Sequence, residues 1–524
     1  MHPNTIIGDD TLKRSYHWIG WVFLGLSFFA GLAVIYWGSL TDEADTLVTG
    51  SLITQGYVLY RDVFSHHFPF PYYWVALVVS LLGKSILAVR LSLLVFQVTS
   101  FAIAMKFSQY HLVLGLASLL WNLIGYMYLG NLVLYSMFCS AALVVVFSVT
   151  LAIVSDNVCV NWKHIVVIGV YATIAMLSDP LSIYAIGIAL FFLAVSSGGV
   201  KHALCASLVI ALALAAYGGY LLLSRTFMDF VDSAILFNAQ VYGKYLNTNP
   251  IRLRAFLYFT LRGLDITNPA WWIFDPMRSI SRYHNYTEFD QWMFTGLLFR
   301  LSIIFTSLIF LVRRKFKPAG FVYFFAVALL LINIWGFRGA SFVMVALIAT
   351  SGIVVNQWRA QQPREAYIKI PLVVLRILVC CLLAWQVFRI TTYTIRSRHE
   401  LSYTANFGFY HTYAQEILGI LGTCSPSDIL LAPYPGDTYA FWFTDMKPVS
   451  RYLFMWPWVA EIGQVDVINI LDEAPSIVII EKMKVWNKYN TNVYLHRLHN
   501  YLDENYLNIK EGWYISPSLM QQCR

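Results

Sequence analysis

Eleven apolar runs of membrane-spanning length constrain this chain more than any motif does. They fall near 18–40, 87–105, 111–129, 132–154, 164–178, 182–198, 203–223, 293–312, 320–336, 339–356 and 370–391. A helix needs roughly 20 apolar residues to cross a hydrocarbon core of about 30 Å. In that core no water is available to the backbone, so each run must be a helix that satisfies its own N–H and C=O groups. Composition agrees: hydrophobic residues make up 58% and charged residues 12% of 524 positions, with a mean hydropathy of +0.61. These values exclude a disordered chain and an ordinary water-soluble enzyme. A twelfth run, Pro71 to Gly83, has thirteen residues; at roughly 20 Å as a helix it is too short to cross.

The cations set the sides. With Lys13 and Arg14 inside, eleven spans place Lys106, Lys163, Lys201, the cluster from Arg313 to Lys317, and Arg359, Arg364 and Lys369 inside as well. Twelve spans would put several of these outside, whereas eleven leave Lys84 as the exception. The net charge of +8 therefore belongs to short loops and implies a lipid bilayer, not nucleic acid. The polar N-terminus runs straight into the first apolar run without a small-residue cleavage pattern, so a retained first span is expected. Residues 71–83 then dip into the outer leaflet. The loop 41–86, the long loop 224–292 and the tail 393–524 all lie on the outer face of the cytoplasmic membrane.

On this reading, residues 1–392 form an α-helical polytopic membrane domain and 393–524 a small external soluble domain. In the tail, the runs beginning at Asp428 and Ser476 are short, apolar and rich in β-branched residues, and a helix-like stretch from Val465 to Leu471 separates them. An α/β domain fits. Of seven cysteines, Cys424 and Cys523 lie in the tail, where an oxidising exterior would permit a disulfide; two free thiols fit the sequence equally well.

The chemistry concentrates in the loop from Thr41 to Tyr73, which begins with Asp42, Glu43 and Asp45 directly after the first apolar run. Acids at the mouth of a span are costly, and they mark a candidate catalytic site at the membrane surface. A solvated polar flank is the plain alternative. Arg61 and Asp62 could bind substrate or simply pair with each other, a surface contact worth roughly 0–1 kcal/mol. His66 and His67 could contact a phosphate or an acceptor, rest at the interface, or join Asp42 around a metal. Adjacent histidines lack a standard zinc spacing, so no metal is assigned, and a divalent cofactor is compatible with the sequence but not required by it.

The order Asp42-Glu43, Gly56, Tyr60-Arg61-Asp62, His67-Phe68-Pro69, Tyr72-Tyr73-Trp74, Gly83 and Arg90 resembles the first external loop of the GT-C fold glycosyltransferases. The likeness is to bacterial relatives of protein O-mannosyltransferases and aminoarabinose transferase. It covers about fifty residues, and the stretch Tyr439 to Trp458 is similar to tail segments of bacterial members. The resemblance implies an inverting transfer of a sugar from a polyprenyl-phosphate donor to an acceptor on an envelope glycan, lipid or protein. It also implies that Asp42 is the carboxylate base, with Glu43 and Asp45 as substitutes. Such a reaction needs a base and fixed cations where the lipid phosphate sits, at the membrane surface.

Candidate cations for the phosphate are Arg300, inside its apolar run, where it would cost about 2–3 kcal/mol without a partner, and Arg338, in the turn Trp335 to Gly339. Arg90 reads more readily as a snorkelling side chain. Trp442, Tyr452, Trp456 and Trp458 could stack on sugars, although core or interfacial roles are commoner for such residues. The family's Lys-Gly-Pro turn is replaced here by Ser178-Asp179-Pro180, and Arg338 lacks the following His-Tyr pair, so the donor sugar is not carried over. Two other classes compete. A lipid-linked glycan polymerase or ligase would concentrate its arginines in the mid-chain loop, as 224–292 partly does. A secondary transporter would need polar residues at mid-membrane and repeat symmetry.

Overall fold

The computed structural model describes residues 7–196, 199–245, 293–332, 340–355 and 398–522 apart from 423, 472–474 and 486–487, with isolated positions between 381 and 395. The chain opens with helices α1 (Ile7–Ala33), α2 (Thr41–Thr54), α3 (Phe70–Leu82), α4 (Ile86–Ser108), α5 (His111–Ile124), α6 (Tyr135–Val154), α7 (Trp162–Ser178), α8 (Ile183–Ala194) and α9 (Gly199–Leu223). Helices Met293–Val312, Phe316–Ile332 and Ala340–Val355 follow. Ten of the eleven predicted runs are thus helical, and the run 370–391 lies almost wholly outside the described residues. Among the described residues, four helices are long and apolar enough to cross a membrane: Tyr16–Ala33 within α1, α4, α6 and α9. The other apolar helices are shorter, with 10–17 residues.

Side chains from elsewhere explain where the first of these helices stops early. The first run was expected to reach Leu40, but α1 ends at Ala33. The carbonyls beyond it are taken by other side chains: Asn131 Nδ2 donates to Val34 O at 3.2 Å and Trp37 O at 2.6 Å, and Arg90 Nη1 donates to Ile35 O at 2.9 Å. Helix-end carbonyls need such partners, and here they are supplied without another turn of helix. Arg90 is therefore buried, at 1% exposure, rather than snorkelling. Helix α5 gives way at Gly125 to a short 3-10 turn, Gly125–Tyr128, capped by Leu129 with a φ of +59°.

The chain divides into two compact units, and the division does not fall at one point in sequence. The first comprises Met1–Trp37, Arg90–Tyr217 and Asn249–Leu401. Every residue of α6 is buried, with α7, α8, Phe316–Ile332 and Ala340–Val355 packed around it. Helices α1 and α5 meet at two glycines: a Cβ at Gly115 would stand 2.2 Å from Gly20 O, and one at Gly20 2.5 Å from His111 O. Small residues let apolar helices approach closely, and small polar ones tie them together. Ser27 Oγ lies 2.7 Å from Ser118 Oγ, Asn122 Nδ2 donates to Ser27 Oγ at 2.7 Å, and Ser140 and Ser341 hydroxyls are 2.8 Å apart.

The second unit comprises Gly38–Val89, Gly218–Thr248 and Ser402–Arg524. The first loop, the start of the long loop and the tail fold together. The strands are β1 (Leu430–Tyr434), β2 (Lys447–Pro448), β3 (Ser476–Ile480), β4 (Lys484–Val485), β5 (Tyr489–Asn490), β6 (Leu507–Lys510) and β7 (Trp513–Ile515). Five form a sheet ordered β2-β1-β3-β7-β6; β1 runs parallel to β2 and β3, in register from Leu430 opposite Ser476 to Tyr434 opposite Ile480. β7 is antiparallel to β3 and β6, and β4 and β5 make a separate hairpin. Parallel strands need a crossover, and helix Pro457–Leu471 lies between β1 and β3 in the chain. All five residues of β3 are buried, so its sequence is a continuous apolar run instead of an alternating one. Cys424 is disulfide-bonded, to a partner outside the described residues.

Candidate active site

Leu40, extended at φ −145° and ψ 142°, leads into α2, whose first turn carries Asp42 and Glu43. Carboxylates suit that turn because its free N–H groups and dipole favour negative charge. The three acids then separate by depth. Asp42 is half-buried. Glu43 is fully buried and accepts a hydrogen bond from the Tyr439 hydroxyl at 2.7 Å. Asp45, at 4% exposure, accepts from the Tyr72 hydroxyl at 2.8 Å through Oδ2, while its Oδ1 has no hydrogen-bond partner among the described residues. Burial pushes the Asp45 carboxyl up to about 7; the Tyr72 bond opposes that rise and the charge of Asp42 adds to it.

A one-way chain of donors ends on Asp45. The His67 N–H donates to Ser65 Oγ at 3.0 Å, the Ser65 and Tyr72 hydroxyls are 2.6 Å apart, and Tyr72 donates to Asp45. With the Tyr72 proton committed to Asp45, Ser65 is the donor to Tyr72. All three side chains are buried, which makes the chain a brace between α2 and the histidine turn. The turn is held from its other side by Tyr60, whose hydroxyl donates to His67 O at 3.1 Å. Tyr60 is fully buried with a left-handed φ of +73°, which is unusual for a bulky residue and sustained by its bond to Val63 O at 2.8 Å.

His66 is buried against His67, Tyr242 and Phe237, with ring centroids 4.0, 5.0 and 5.9 Å away, and Asn238 Nδ2 donates to its carbonyl at 2.6 Å. The start of the long loop therefore packs on the histidine turn. Arg61 and Asp62 pair with each other through two bonds of 2.9 Å, and Asp62 also accepts from Val58 N at 2.8 Å. That pairing holds the Asp62 carboxyl below the usual range. Arg300 lies in helix Met293–Val312 but its side chain is outside the described residues, as are Arg338 and 246–292. Among the described residues, no group of three or more His, Cys, Asp or Glu is placed to hold a metal.

The tail holds residues that the sequence singled out and others that it did not. Trp442, Tyr452 and Trp458 are buried, at 5%, 2% and 5% exposure, so they are core residues here and not an open stacking surface. Tyr439 reaches Glu43 across 396 positions. Asp437, just after β1, is half-buried and pushed up to about 6 by burial and by the charge of Glu481, which follows β3. Lys84 pairs with Asp445 and lies 5.2 Å from the centre of the Trp442 ring. The one sequence signal for any of this was the resemblance of Tyr439 to Trp458 to other tails.

No family model matches the sequence, and no curated protein matches it. Solved structures do. ArnT from Cupriavidus metallidurans bound to undecaprenyl phosphate is similar at a TM-score of 0.56 and 12% identity, over 98% of this chain and 99% of that one. ArnT from the same organism in the apo state gives 0.51 and 12%, over 95% and 98%. At that identity the likeness is one of fold, and it extends from the first loop to nearly the full length. The chain has the fold of ArnT, a GT-C fold.

Proposed function

We propose that the chain is a membrane glycosyltransferase. It takes a sugar from a polyprenyl-phosphate carrier and passes it, with inversion, to a hydroxyl or amine of an envelope acceptor at the outer face of the cytoplasmic membrane. One observation carries this reading: Asp42, only partly buried, opens α2 in a chain whose fold is that of a protein solved with undecaprenyl phosphate bound. Asp42 accepts the acceptor's proton as the acceptor's lone pair attacks the anomeric carbon. The bond from that carbon to the phosphate oxygen breaks on the opposite side, and the carrier phosphate leaves with the electron pair. Of the three acids, only Asp42 is open enough to meet an acceptor, since Glu43 and Asp45 are sealed. Arg300, Arg338 and His67 are the proposed partners of the leaving phosphate, where fixed cations act on charge as it develops.

The test is mass spectrometry of lipid-linked sugars and envelope glycans in the native host, for wild type, deletion and Asp42→Asn. Loss of one glycan decoration with accumulation of its polyprenyl-phosphate donor in both mutants supports the reading, and the accumulated mass identifies the sugar. If Asp42→Asn matches wild type while the deletion does not, the base is misassigned. Loss on Arg252→Ala would then favour a lipid-linked polymerase.

A further inference from the structure

Four contacts from the tail meet the short segment on either side of Asp42. The Gly38 N–H donates to Asn406 Oδ1 at 2.8 Å. The Tyr410 hydroxyl faces the Ser39 side chain. Gly436 sits so close that a Cβ there would lie 2.6 Å from the Trp456 ring and 3.3 Å from Thr41 Cγ2. The Tyr439 hydroxyl donates to Glu43 Oε2 at 2.7 Å. Asn406 and Tyr410 are four residues apart on helix Tyr403–Leu421, so they share one face. The Tyr439 ring is fixed between Tyr410, at 4.6 Å, and Phe407, at 5.5 Å.

The segment needs this support. Residues 37–40 have no helix or strand of their own, and Gly38 has a φ of +73°, a conformation that a side chain would disfavour. A base placed on such a segment would wander, and a displacement of about 1 Å can cost roughly a hundredfold in rate. Residues 38, 39, 41 and 43 are all engaged by the tail, and these positions bracket Asp42.

We propose that the tail is a clamp on the catalytic turn, with Asn406, Tyr410 and Tyr439 as positioning residues for the Asp42 carboxylate. The inference rests on the transferase reading for its catalytic meaning, but its structural content stands apart from it. Glu43 thereby becomes the anchor that Tyr439 grips instead of a second base, and the tail becomes part of the active centre.

The test uses the full chain in lipid nanodiscs, comparing wild type with Tyr439→Phe and Asn406→Ala. Two quantities are read: hydrogen exchange of peptides covering 38–45, and kcat and KM for transfer from a polyprenyl-phosphate-linked sugar. The expected result is a rise of about tenfold in exchange at 38–45, with β3 and β7 unchanged. It is accompanied by a fall of about tenfold in kcat, with donor KM within about twofold. Unchanged exchange at 38–45 in both variants overturns the clamp. An equal rise through β3 and β7 also overturns it, because the residues would then only stabilise the tail. A fall in kcat/KM carried by KM alone assigns them to donor binding and likewise overturns it. If wild type transfers sugar from no such donor, the functional reading fails, and the exchange measurement alone decides whether the tail holds the turn.

Discussion

Asp45 shows how burial converts an ordinary residue into a pH-dependent one. Its carboxyl ionises near 4 when unfolded and at about 7 when folded, so between those values the folded chain holds the extra proton. Stability therefore falls as pH climbs from about 4 to 7, by about 1.4 kcal/mol per unit at most, and levels off above. Asp45→Asn keeps an acceptor for Tyr72 but cannot ionise. Its melting temperature is expected to drop less than that of wild type across this range and to exceed it at pH 8. Parallel pH curves for the two proteins would contradict the burial argument. Tyr72→Phe removes the donor to Asp45 and the acceptor for Ser65; a loss of about 1–3 kcal/mol in denaturant melts is expected. The acids were legible as a group from their place after an apolar run. Their different depths were not, because depth depends on Tyr72 and Tyr439, which no local pattern connects to them.

At the scale of elements, apolar length was enough to locate the helices, while their ends were set by partners. Asn131 and Arg90 draw off the carbonyls beyond α1, and Gly125 against Trp121 shortens α5, where a Cβ would come within 2.8 Å of the ring. The crossing of α1 and α5 gives a direct test. Gly115→Leu would place a Cβ 2.2 Å from the Gly20 carbonyl, which is backbone and cannot move aside. A loss of about 1–3 kcal/mol, read as a lower melting temperature and poor yield in detergent, is expected. Gly25→Ala, on the same α1, meets nothing within 4 Å and is expected to be tolerated. In the tail, β1 and β3 were legible because fully covered strands are continuously apolar, whereas the short edge strands β2 and β6 carry no comparable signal.

At the scale of the whole molecule, the tail and the first loop share one compact unit although 312 positions separate Val89 from Ser402. Tyr439, Phe441, Tyr452 and Phe454 are all buried in the intact chain. Part of what covers them comes from the first loop: Tyr439 bonds Glu43, and Phe64 sits 5.2 and 6.5 Å from the Tyr452 and Phe454 rings. A fragment of residues 402–524 alone loses that cover. It is expected to bind a hydrophobic dye and to show weakened near-ultraviolet circular dichroism, while its far-ultraviolet spectrum persists. A fragment with a sharp, cooperative melt and no dye binding would show that the tail is self-sufficient.

The sequence by itself determined the membrane class, the approximate places of ten helices, the α/β character of the tail and the loop in which the acids stand. Each of these rests on local physics: span length against bilayer thickness, β-branched runs against a covered sheet, and the cost of charge beside an apolar segment. Only the tertiary structure decided that Asp42 is the least buried of the three acids, that Asp45 ends a donor chain, and that the tail closes on the turn around the proposed base. Those outcomes depend on pairs such as Gly38 with Asn406 and Glu43 with Tyr439, which lie 368 and 396 positions apart. Contacts at such separations leave no periodicity in a single chain, because what brings them together is the packing of the complete unit.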